Sequence, residues 1–500
     1  MTYALLITAF IISTCGLVYE LIAGTVASYL LGDSVTQFSI VIGVYLFAMG
    51  VGSFLSKYIE KDLLLTFVQV ELLLGLIGGC SAAVLFSLFE HVESFRILLY
   101  GTVSIIGVLI GLEVPLLMRV LKDRLQFKDL VSQVFTFDYI GGLIASILFP
   151  LVLVPFLGLV RSSFMFGLLN IVVAIWTIHL FKAELPWLKT LRSFAFALLV
   201  FLVVGFAYSD KIMSVAESSS FPDTIIYSTS TPYQRIIITG STKDYKLFLN
   251  GNLQFSSRDE YRYHEALVHP AMASLKNPEN ILVLGGGDGM AVRELLKYPS
   301  VKSINLVDLD KRMTSLFSNQ GLLSKMNGGS LSNPKVSIIN QDAFVWLRDC
   351  KTKFDFIVVD FPDPSNFSLG KLYSDTFYRA LQKVLKPEGL IVIQSTSPYF
   401  AKNSYWCVVN TLNSIGMSTT PYHAYVPSFG DWGYVIASNI PFKSGSAYPA
   451  GLRYLSEETF DQMLHFPKDM LPTVTAVNKL NNQSLVHLFE SEWSEYVDSH

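Results

Sequence analysis

The sequence predicts a protein of two unlike parts, an all-α bundle of membrane-spanning helices followed by a soluble α/β unit. The chain has 500 residues, which is too long for one ordinary domain. Hydrophobic residues make up 51% of it and charged residues 15%, compared with about 25% charged residues in a typical soluble domain. The charges are also unevenly divided, because residues 1–210 contain only 11 of the 37 Lys and Arg and 13 of the 40 Asp and Glu.

The net charge of −3 argues against a nucleic-acid-binding protein, because such proteins usually carry a basic face. The cysteines are widely separated and form no CxxC motif. We therefore expect reduced packing residues rather than a metal site or a disulfide framework. The four are Cys15, Cys80, Cys350 and Cys407.

The first domain, residues 1–210, is predicted to cross the membrane about seven times, since a crossing needs about 20 mostly apolar residues. The first apolar segment is not expected to be a cleavable signal peptide, because it lacks a basic start and similar segments follow it. Small residues four apart, Ala48/Gly52 and Gly75/Gly79, predict close helix packing. The candidate spans are 3–25, 38–56, 64–88, 97–118, 135–157, 162–181 and 191–208.

Four acidic residues lie inside these spans or at their edges. A charge in hydrocarbon is costly, so such residues usually face a partner or a cavity. Two interpretations stay open at this stage: a polar site or proton path within the bundle, or acids that are interfacial or protonated and hydrogen-bonded to neighbouring helices. The four are Glu20, Glu71, Glu113 and Asp138.

Residues 222–262 alternate between apolar and polar positions in short runs, which predicts a small β-strand domain. Asn250-Gly251 separates two of these runs and is typical of a type I′ hairpin turn, which needs positive φ at both positions. A helix is predicted next, from Asp259 to Ser274.

Residues 263–440 are predicted to form a Rossmann-like parallel sheet. An apolar strand runs into the glycine-rich loop GGGDG (285–289) and then into a helix, an arrangement that favours polar or anionic ligand groups at the helix start. The next strand ends in Asp308, where a carboxylate can bind two ribose hydroxyls. Asp288 lies within the loop and would repel a pyrophosphate, which argues against a plain dinucleotide site.

Five carboxylates fall at strand ends in this domain, and ligands of open α/β sheets bind at the carboxyl ends of the strands. Together they indicate a cationic substrate, a metal ion or both. A metal is disfavoured, because no His accompanies them at ligand spacing and the phosphates that recruit Mg²⁺ are repelled. The five are Asp288, Asp308, Asp342, Asp360 and Asp363.

Residues 222–440 resemble the spermidine synthases, which are polyamine aminopropyltransferases. The RDEYRYHE segment (258–265) beside GGGDG is the most specific part, because general methyltransferases share the nucleotide fold and lack this segment. The N-terminal spans resemble those of membrane-fused members of the family. The other matching motifs are YQRIII with Gln234, VDLD (307–310), QDA (341–343), DFPDP (360–364) and YVPSFGDWG (425–433).

The resemblance implies a methyltransferase-type sheet that transfers an aminopropyl group from decarboxylated S-adenosylmethionine to putrescine or a related diamine, releasing methylthioadenosine. The donor would be a co-substrate, with no tightly bound cofactor and no metal. By motif match, Asp360 would be the general base, Asp308 would hold the ribose, Asp342 and Ala343 would border the adenine, and Asp288 would take the ammonium of the aminopropyl tail. Tyr263, His264, Asp363 and Tyr425 would line the amine site, with Gln234 at the shared pocket.

The sequence departs from the soluble enzymes of this family in two places. Asp308 stands where Glu is commoner in the family. The stretch FPDPSNFSLG (361–370) replaces a serine-rich one, and because this change includes the aromatic residue Phe361, the resemblance does not determine which amine is used. Residues 324–333 are polar and glycine-rich and predict a surface loop. The tail, residues 441–500, is predicted to form amphipathic helices that pack against the sheet or the membrane.

Two other functions remain as alternatives. One is a methyltransferase-like enzyme that uses S-adenosylmethionine, and the other is a polyamine transporter or sensor whose soluble domain only binds. The expected partners are the two small substrates, membrane lipid and further copies of the chain, and no nucleic acid.

The expected location is the cell membrane, with the catalytic domain in the cytoplasm, where the donor nucleoside is made. The charged loops argue otherwise, since the positive-inside rule places basic loops in the cytoplasm and seven spans would then put residue 211 onward outside. The basic residues are Lys57 and Lys61, then Arg119, Lys122, Arg124 and Lys128, and then Lys182, Lys189 and Arg192.

Overall fold

The computed structural model describes residues 2–31, 34–89, 92, 94–122, 127–221, 223–241, 244–319 and 321–498. Arg124 and the predicted domain bounds at Met1, Pro222 and His500 lie outside the described residues. The chain divides into two compact units, Met1–Thr224 and Ile225–His500.

The first unit consists of long apolar helices. Among the described residues, six helical segments are long and apolar enough to cross a membrane. The fifth, Lys128–Leu180, has 53 residues and contains the predicted span 135–157 and all but the last residue of the predicted span 162–181. The helices are α1 (Thr2–Leu31), α2 (Ser34–Leu55), α3 (Leu63–Leu88), α4 (Phe95–Leu121), α5 (Phe127–Leu148), α6 (Gly158–Leu180) and α7 (Leu188–Ser220).

The 53-residue segment is interrupted between α5 and α6. A π-helical stretch, Phe149–Leu157, contains Pro150 and Pro155, which cannot donate backbone hydrogen bonds, and it ends at Gly158 with a φ of 72°. A straight helix of this length would extend about 80 Å, far more than the roughly 30 Å of a bilayer core. The segment is interrupted, and its two parts, α5 and α6, each pack against α1. We therefore count α5 and α6 as two helices.

Small residues bring the helices of this unit into backbone contact. A Cβ atom at Gly52 of α2 would overlap the carbonyl oxygen of Val108, and one at Gly111 of α4 would overlap that of Met49. On α3, a Cβ at Gly79 would lie 3.1 Å from the Cα of Gly167 on α6. The close packing expected from the small-residue spacing is thus present.

The second unit begins with a four-stranded sheet in the order β1-β2-β3-β4, in which β2–β3 and β3–β4 are antiparallel. The predicted hairpin turn is present, because Asn250 and Gly251 have φ values of 51° and 82°. Helix α8 (Glu260–Met272) follows, close to its predicted bounds. The strands are β1 (Thr224–Ser230), β2 (Arg235–Gly240), β3 (Tyr245–Leu249) and β4 (Asn252–Ser256).

A seven-stranded sheet forms the core of the unit, in the order β10-β11-β9-β8-β5-β6-β7. Five neighbouring strands, from β7 to β9, are parallel, and β11 and β10 are added antiparallel at the β9 edge. The predicted fold class is confirmed. The strands are β5 (Asn280–Gly285), β6 (Ser303–Asp308), β7 (Val336–Asn340), β8 (Phe354–Asp360), β9 (Leu385–Gln394), β10 (Ser418–Val426) and β11 (Gly430–Ser438).

The direction of winding reverses between β5 and β8, and ligands of open α/β sheets bind at such a switch point. Gly285, at the end of β5, pairs in register with Asp360, at the end of β8. The apolar residues of both strands are buried, which fixes the register and so the position of the polar groups that follow. The helices of this part are α9 (Met290–Leu295), α10 (Lys311–Asn319), α11 (Gly321–Met326), α12 (Ala343–Asp349), α13 (Phe367–Gly370), α14 (Asp375–Val384), α15 (Lys402–Ser414), α16 (Glu457–Met463) and α17 (Ser484–Asp498).

The surface loop predicted at 324–333 is wrong in part. Asn327 is 0% exposed, and its amide donates hydrogen bonds to the carbonyls of Asp288 (2.8 Å) and Phe317 (3.2 Å). Ser330 Oγ donates to the carbonyl of Gly289 at 2.7 Å. The polar composition predicted an exposed loop, but the Asn327 and Ser330 side chains donate hydrogen bonds to backbone carbonyls of the glycine-rich loop and hold it in place.

The C-terminal tail packs on the sheet unit through α17. Glu492 accepts hydrogen bonds from the backbone nitrogens of Asn403 (2.8 Å) and Ser404 (3.0 Å) at the start of α15. An acidic side chain at a helix N-terminus satisfies free N–H groups and the helix dipole. Leu485 and Phe489 of α17 are buried on the same unit.

Candidate active site

The glycine-rich loop touches two of the strand-end acids. Gly285 and Gly286 have positive φ values, 77° and 62°, and the Gly286 nitrogen donates to the carbonyl of Asp360 at 3.1 Å. A Cβ at Gly286 would lie 3.0 Å from Asp360 Oδ2, and one at Gly287 would lie 2.6 Å from Asp308 Oδ2. Glycine is therefore required here both for backbone conformation and for space.

Asp360 lies at the centre of this arrangement. Tyr263 Oη, on α8, donates a hydrogen bond to Asp360 Oδ1 at 2.6 Å, while Oδ2 faces Gly286. Burial raises the pKa of Asp360 to about 6; the nearby His264 and the Tyr263 hydrogen bond oppose the rise, and Asp288 adds to it. The carboxylate is therefore available at neutral pH as a proton acceptor.

His264 places a positive charge among these acids. Its Nδ1 lies 2.8 Å from Glu260 Oε2, one turn earlier on α8. Burial alone would lower the pKa of His264, but the hydrogen bond and charge of Glu260 outweigh burial and raise it to about 9. Arg293 in turn donates to both oxygens of Glu260, at 3.0 and 2.9 Å. His264 is thus protonated at neutral pH and acts on Asp288 and Asp360 as a nearby cation.

Asp288 belongs to the loop itself, and Asp308 lies against the loop at Gly287. Asp288 Oδ1 accepts from the Met290 nitrogen (2.9 Å), and burial raises the pKa of this carboxyl. Asp308 Oδ1 accepts from the Asp310 nitrogen (2.8 Å), and burial raises the pKa of Asp308 to about 7. Gln234 Nε2 donates to Asp310 Oδ2 at 3.0 Å, which ties the small sheet to this strand end.

Asp342 is already engaged by neighbouring groups. It caps α12 by accepting from the nitrogens of Phe344 (2.8 Å) and Val345 (3.3 Å), and its Oδ2 accepts from Lys371 Nζ at 2.7 Å. Burial would raise the pKa of Asp342, but the bond and charge of Lys371 outweigh it and lower the pKa. Ala343 follows as the first, buried residue of α12.

Asp363 retains a free acceptor atom. Its Oδ2 accepts weakly from Thr396 Oγ1 at 3.4 Å, and its buried Oδ1 has no hydrogen-bond partner among the described residues. Burial raises the pKa of Asp363 to about 7, and the nearby side chains of Gln394 and Thr396 oppose the rise. An unsatisfied buried carboxylate oxygen is costly, which points to a donor supplied from outside the protein.

Aromatic rings surround Tyr263. Its ring centroid lies 6.1 Å from that of Phe429 and 6.4 Å from that of Trp432, and Phe429 and Trp432 are 5.1 Å apart. Such rings suit the methylene chain of an amine and attract its positive charge. Phe361, in contrast, is buried and packs against Tyr373 and Phe377 in the core.

Tyr425 differs from the other predicted site residues, because its side chain is 57% exposed. Its backbone carbonyl accepts from Arg262 Nη1 at 3.1 Å. No group of three or more His, Cys, Asp or Glu suited to a metal ion occurs in the part of the chain that the structure describes.

Several site residues were not identified from the sequence. Four of them make hydrogen bonds or ion pairs with the predicted site residues or with each other: Glu260, Arg293, Asp310 and Lys371. Two more, Phe429 and Trp432, are aromatic residues that lie beside Tyr263. Trp432 Nε1 donates to Gln394 Oε1 at 3.2 Å, and Gln394 Nε2 donates to Tyr373 Oη at 2.9 Å. Glu260, Asp310, Phe429 and Trp432 lie within motifs that indicated the site, whereas Arg293 and Lys371 meet it only through the fold.

The open parallel sheet, its glycine-rich loop and the acids at its carboxyl edge define the class of Rossmann-like transferases. Residues 260–443 match the family model of the spermine/spermidine synthase domain. The polyamine aminopropyltransferase of Leptospira interrogans is 51% identical to this chain and covers 100% of both chains. That of Mycobacterium tuberculosis is 35% identical over 96% of this chain and 94% of its own. The protein belongs to the polyamine aminopropyltransferase family, as the motifs predicted.

Two further comparisons give the extent of the similarity. Polyamine aminopropyltransferase 2 of Ralstonia nicotianae is 53% identical over 98% of both chains. The spermidine synthase of Thermotoga maritima is 25% identical, with a TM-score of 0.45, and covers 49% of this chain and 87% of its own. The curated relatives therefore share the helical unit as well as the α/β unit.

Proposed function

We propose that this enzyme transfers an aminopropyl group from decarboxylated S-adenosylmethionine to putrescine or a related diamine, with release of methylthioadenosine. Family membership supports the type of reaction. The observation that carries the choice of substrates is a set of three buried acids: Asp288 in the glycine-rich loop, Asp360 against that loop, and Asp363 shortly after β8. Both proposed substrates are cations, and these three carboxylates accept no hydrogen bond from a Lys or Arg of the described residues, which leaves them able to bind a cationic ligand.

Asp360 would act as the general base. A protonated amine has no lone pair and cannot attack until a base accepts its proton. Tyr263 occupies Asp360 Oδ1, which leaves Oδ2, on the loop side, for the amine nitrogen. A carboxyl with a pKa of about 6 is ionised at neutral pH and still basic enough to take up a proton briefly.

The transfer itself needs no further activation. The freed lone pair of the amine forms a bond to the methylene carbon beside the sulfonium, and the carbon–sulfur bond breaks with its electrons remaining on sulfur as a neutral thioether. The proton leaves the amine for Asp360 and then passes to solvent. Alignment of the two substrates can contribute about 7–11 kcal/mol to lowering the barrier.

The donor would lie along the loop. Asp308, at the end of β6, would hold the ribose hydroxyls, and Asp288 would take the ammonium of the aminopropyl tail. Asp342 and Ala343 would border the adenine, although Asp342 would have to share its carboxylate with Lys371. Tyr263, His264, Asp363 and Tyr425 would line the amine site, with Gln234 braced at the shared pocket by Asp310.

The test is to incubate the purified protein with decarboxylated S-adenosylmethionine and a panel of diamines, and to identify products by mass. We expect spermidine-type products and methylthioadenosine. Asp360→Asn should reduce turnover by at least about a hundredfold, the typical contribution of a general base, while nucleoside binding by calorimetry stays close to wild type. The control is Asp349→Asn, at an exposed aspartate of the same unit.

The same experiment separates the other candidate functions. S-adenosylhomocysteine formed from S-adenosylmethionine would identify a methyltransferase. A protein that binds spermidine but forms none would be a carrier or sensor. Near-wild-type activity in Asp360→Asn would show that Asp360 is not the general base, and it would not change the proposed class of reaction.

A further inference from the structure

The first unit contains a polar cluster of its own, buried among apolar helices. Glu71 on α3 and Glu113 on α4 are both 0% exposed, and their carboxyl groups are hydrogen-bonded to each other. The helices that carry them pack against one another and against α1. The two acids therefore form a contacting pair rather than two isolated charges.

Among the described residues, one of the four carboxyl oxygens accepts a hydrogen bond from an amide side chain. Tyr19 Oη donates to Asn170 Oδ1 at 3.2 Å, and Asn170 Nδ2 donates to Glu71 Oε2 at 3.1 Å. Within the described residues, Glu71 Oε1 and both oxygens of Glu113 have no donor partner. The Glu113 side chain is thus fully buried and, within the described residues, has Glu71 as its hydrogen-bond partner and no N–H or hydroxyl donor.

The described surroundings of this pair supply no positive charge. The titratable groups that interact with it are Cys15 and Tyr19 on α1, Tyr45 on α2 and Asp138 on α5. No Lys, Arg or His of the described residues is among the groups that act on Glu71 and Glu113. Two ionised carboxylates at hydrogen-bond distance repel each other strongly, and apolar surroundings make each charge costlier still.

One proton relieves both penalties, because a protonated carboxyl can donate to its neighbour and leaves one negative charge in place of two. Titratable groups also lie between the buried pair and half-buried positions of the bundle. Tyr45 Oη donates to the carbonyl of Gly16 at 2.7 Å, and Tyr45 lies within electrostatic range of Glu113 and of the half-buried acids Glu20 and Asp138. Titratable groups thus continue from the buried pair to the partly exposed side chains.

We propose that Glu71 and Glu113 form a proton-exchange site, which holds a shared proton between the two carboxyls and exchanges it with solution through Tyr45 and the half-buried acids. The ligand is the proton itself, which moves from one carboxyl oxygen to the next without other chemistry. The helical unit is then a proton-responsive part of the protein and not only an anchor.

The test labels the full-length protein in detergent with dicyclohexylcarbodiimide, which reacts with protonated carboxyls in apolar surroundings. Peptide mass analysis should find the adduct on Glu71 or Glu113, with a yield that falls between about pH 5 and about pH 10, a range that brackets buried carboxyls. The double variant E71Q/E113Q should lose the adduct. Glu60→Gln, at an exposed acid, is the matched control and should leave labelling unchanged.

The single variants test whether the proton is shared. Glu113→Gln gives Glu71 an amide donor and removes a like charge, so the midpoint of the pH dependence of Glu71 labelling should fall by about one pH unit. Glu71→Gln should do the same to Glu113. Retention of aminopropyl transfer and a single elution peak would show that each variant is folded.

Three results would overturn the proposal. Wild-type labelling of the remaining glutamate in each single variant would show two independent carboxyls. A yield that does not change with pH would show permanently protonated acids, and an adduct that forms only after unfolding would show a pair closed to exchange. Infrared spectra of the wild-type protein give a second measurement, since the C=O band of a protonated carboxyl should decrease as the pH is raised and be absent from the double variant.

Discussion

Single residues in the α/β unit act through their neighbours' charges, and His264 is the clearest case. The protonation of His264 at neutral pH depends on Glu260. Burial would raise the pKa of Glu260, but the hydrogen bonds and charges of His264 and Arg293 outweigh burial and lower it to about 2. The sequence identified Tyr263 and His264 by motif. It could not reveal that Arg293, in another helix, completes the chain of charges, because that contact is made only by the fold.

Glu260→Gln should move the acidic limb of the pH profile. Asp360 must be ionised to accept a proton, so kcat/KM should fall as the pH drops through about 6. Without Glu260, the pKa of His264 falls, the ring becomes neutral near pH 7, and the pKa of Asp360 rises. We expect the limb to shift upward by about one pH unit, whereas Glu279→Gln, at an exposed ion pair, leaves it in place. An unshifted limb in a folded Glu260→Gln protein would contradict this coupling.

Asp363→Asn should weaken amine binding more than it slows transfer. The unpartnered Oδ1 of Asp363 suits an ammonium donor, and the amide keeps the shape while removing the charge. We expect KM for the diamine to rise about tenfold or more, equivalent to about 1.4 kcal/mol, with a smaller change in kcat at saturation. Unchanged binding of the donor nucleoside is the internal control, and an unchanged KM would exclude Asp363 from the amine site.

Among the elements, those with strong local signals were predicted well. The strand, glycine-rich loop and helix at 281–295 and the hairpin at Asn250 occur where the sequence placed them. Residues 324–333 were predicted less well. A polar, glycine-rich stretch can be exposed to solvent or can hydrogen-bond to a neighbouring loop, and composition alone does not distinguish the two. The contact of Asn327 with Asp288 decides between them.

Helix α4 offers a paired test of close packing. Gly111→Ala should destabilise the first unit, because its Cβ would overlap the backbone of Met49, and overpacking typically costs about 1–3 kcal/mol. Gly101→Ala, on the same helix with nothing within 4 Å of its Cβ, should be neutral or stabilising by up to about 1 kcal/mol. Thermal unfolding in detergent measures both. Equal effects at the two positions would contradict the close backbone contact between α2 and α4.

At the scale of the whole molecule, the uneven charge distribution correctly divided the chain into a helical unit and an α/β unit. The side of the membrane on which the α/β unit lies is a separate matter. Seven crossings would place it opposite the basic loops, while the proposed donor nucleoside is made in the cytoplasm. We propose a cytoplasmic α/β unit, with lipid around the helices.

A reporter fused after residue 500 tests this orientation. A reporter enzyme that folds only in the cytoplasm should be active when fused at this position. A second reporter enzyme, which folds only outside the cytoplasm, should be inactive there. The same pair of reporters fused after Lys61, in a basic loop, gives the reference side. The opposite pattern at the C-terminus would place the α/β unit outside and would require the donor to be delivered there.

The glycine-rich loop has a consequence for natural variation. Asp360 and Asp308 lie against it at Gly286 and Gly287, and Ser330 and Leu331 lie against Gly289. A side chain at any of these three glycines therefore displaces either an acid or the segment that braces the loop. In a saturation library they should be among the least tolerant positions of the chain, and a variant there can be classed as inactivating from its sequence alone.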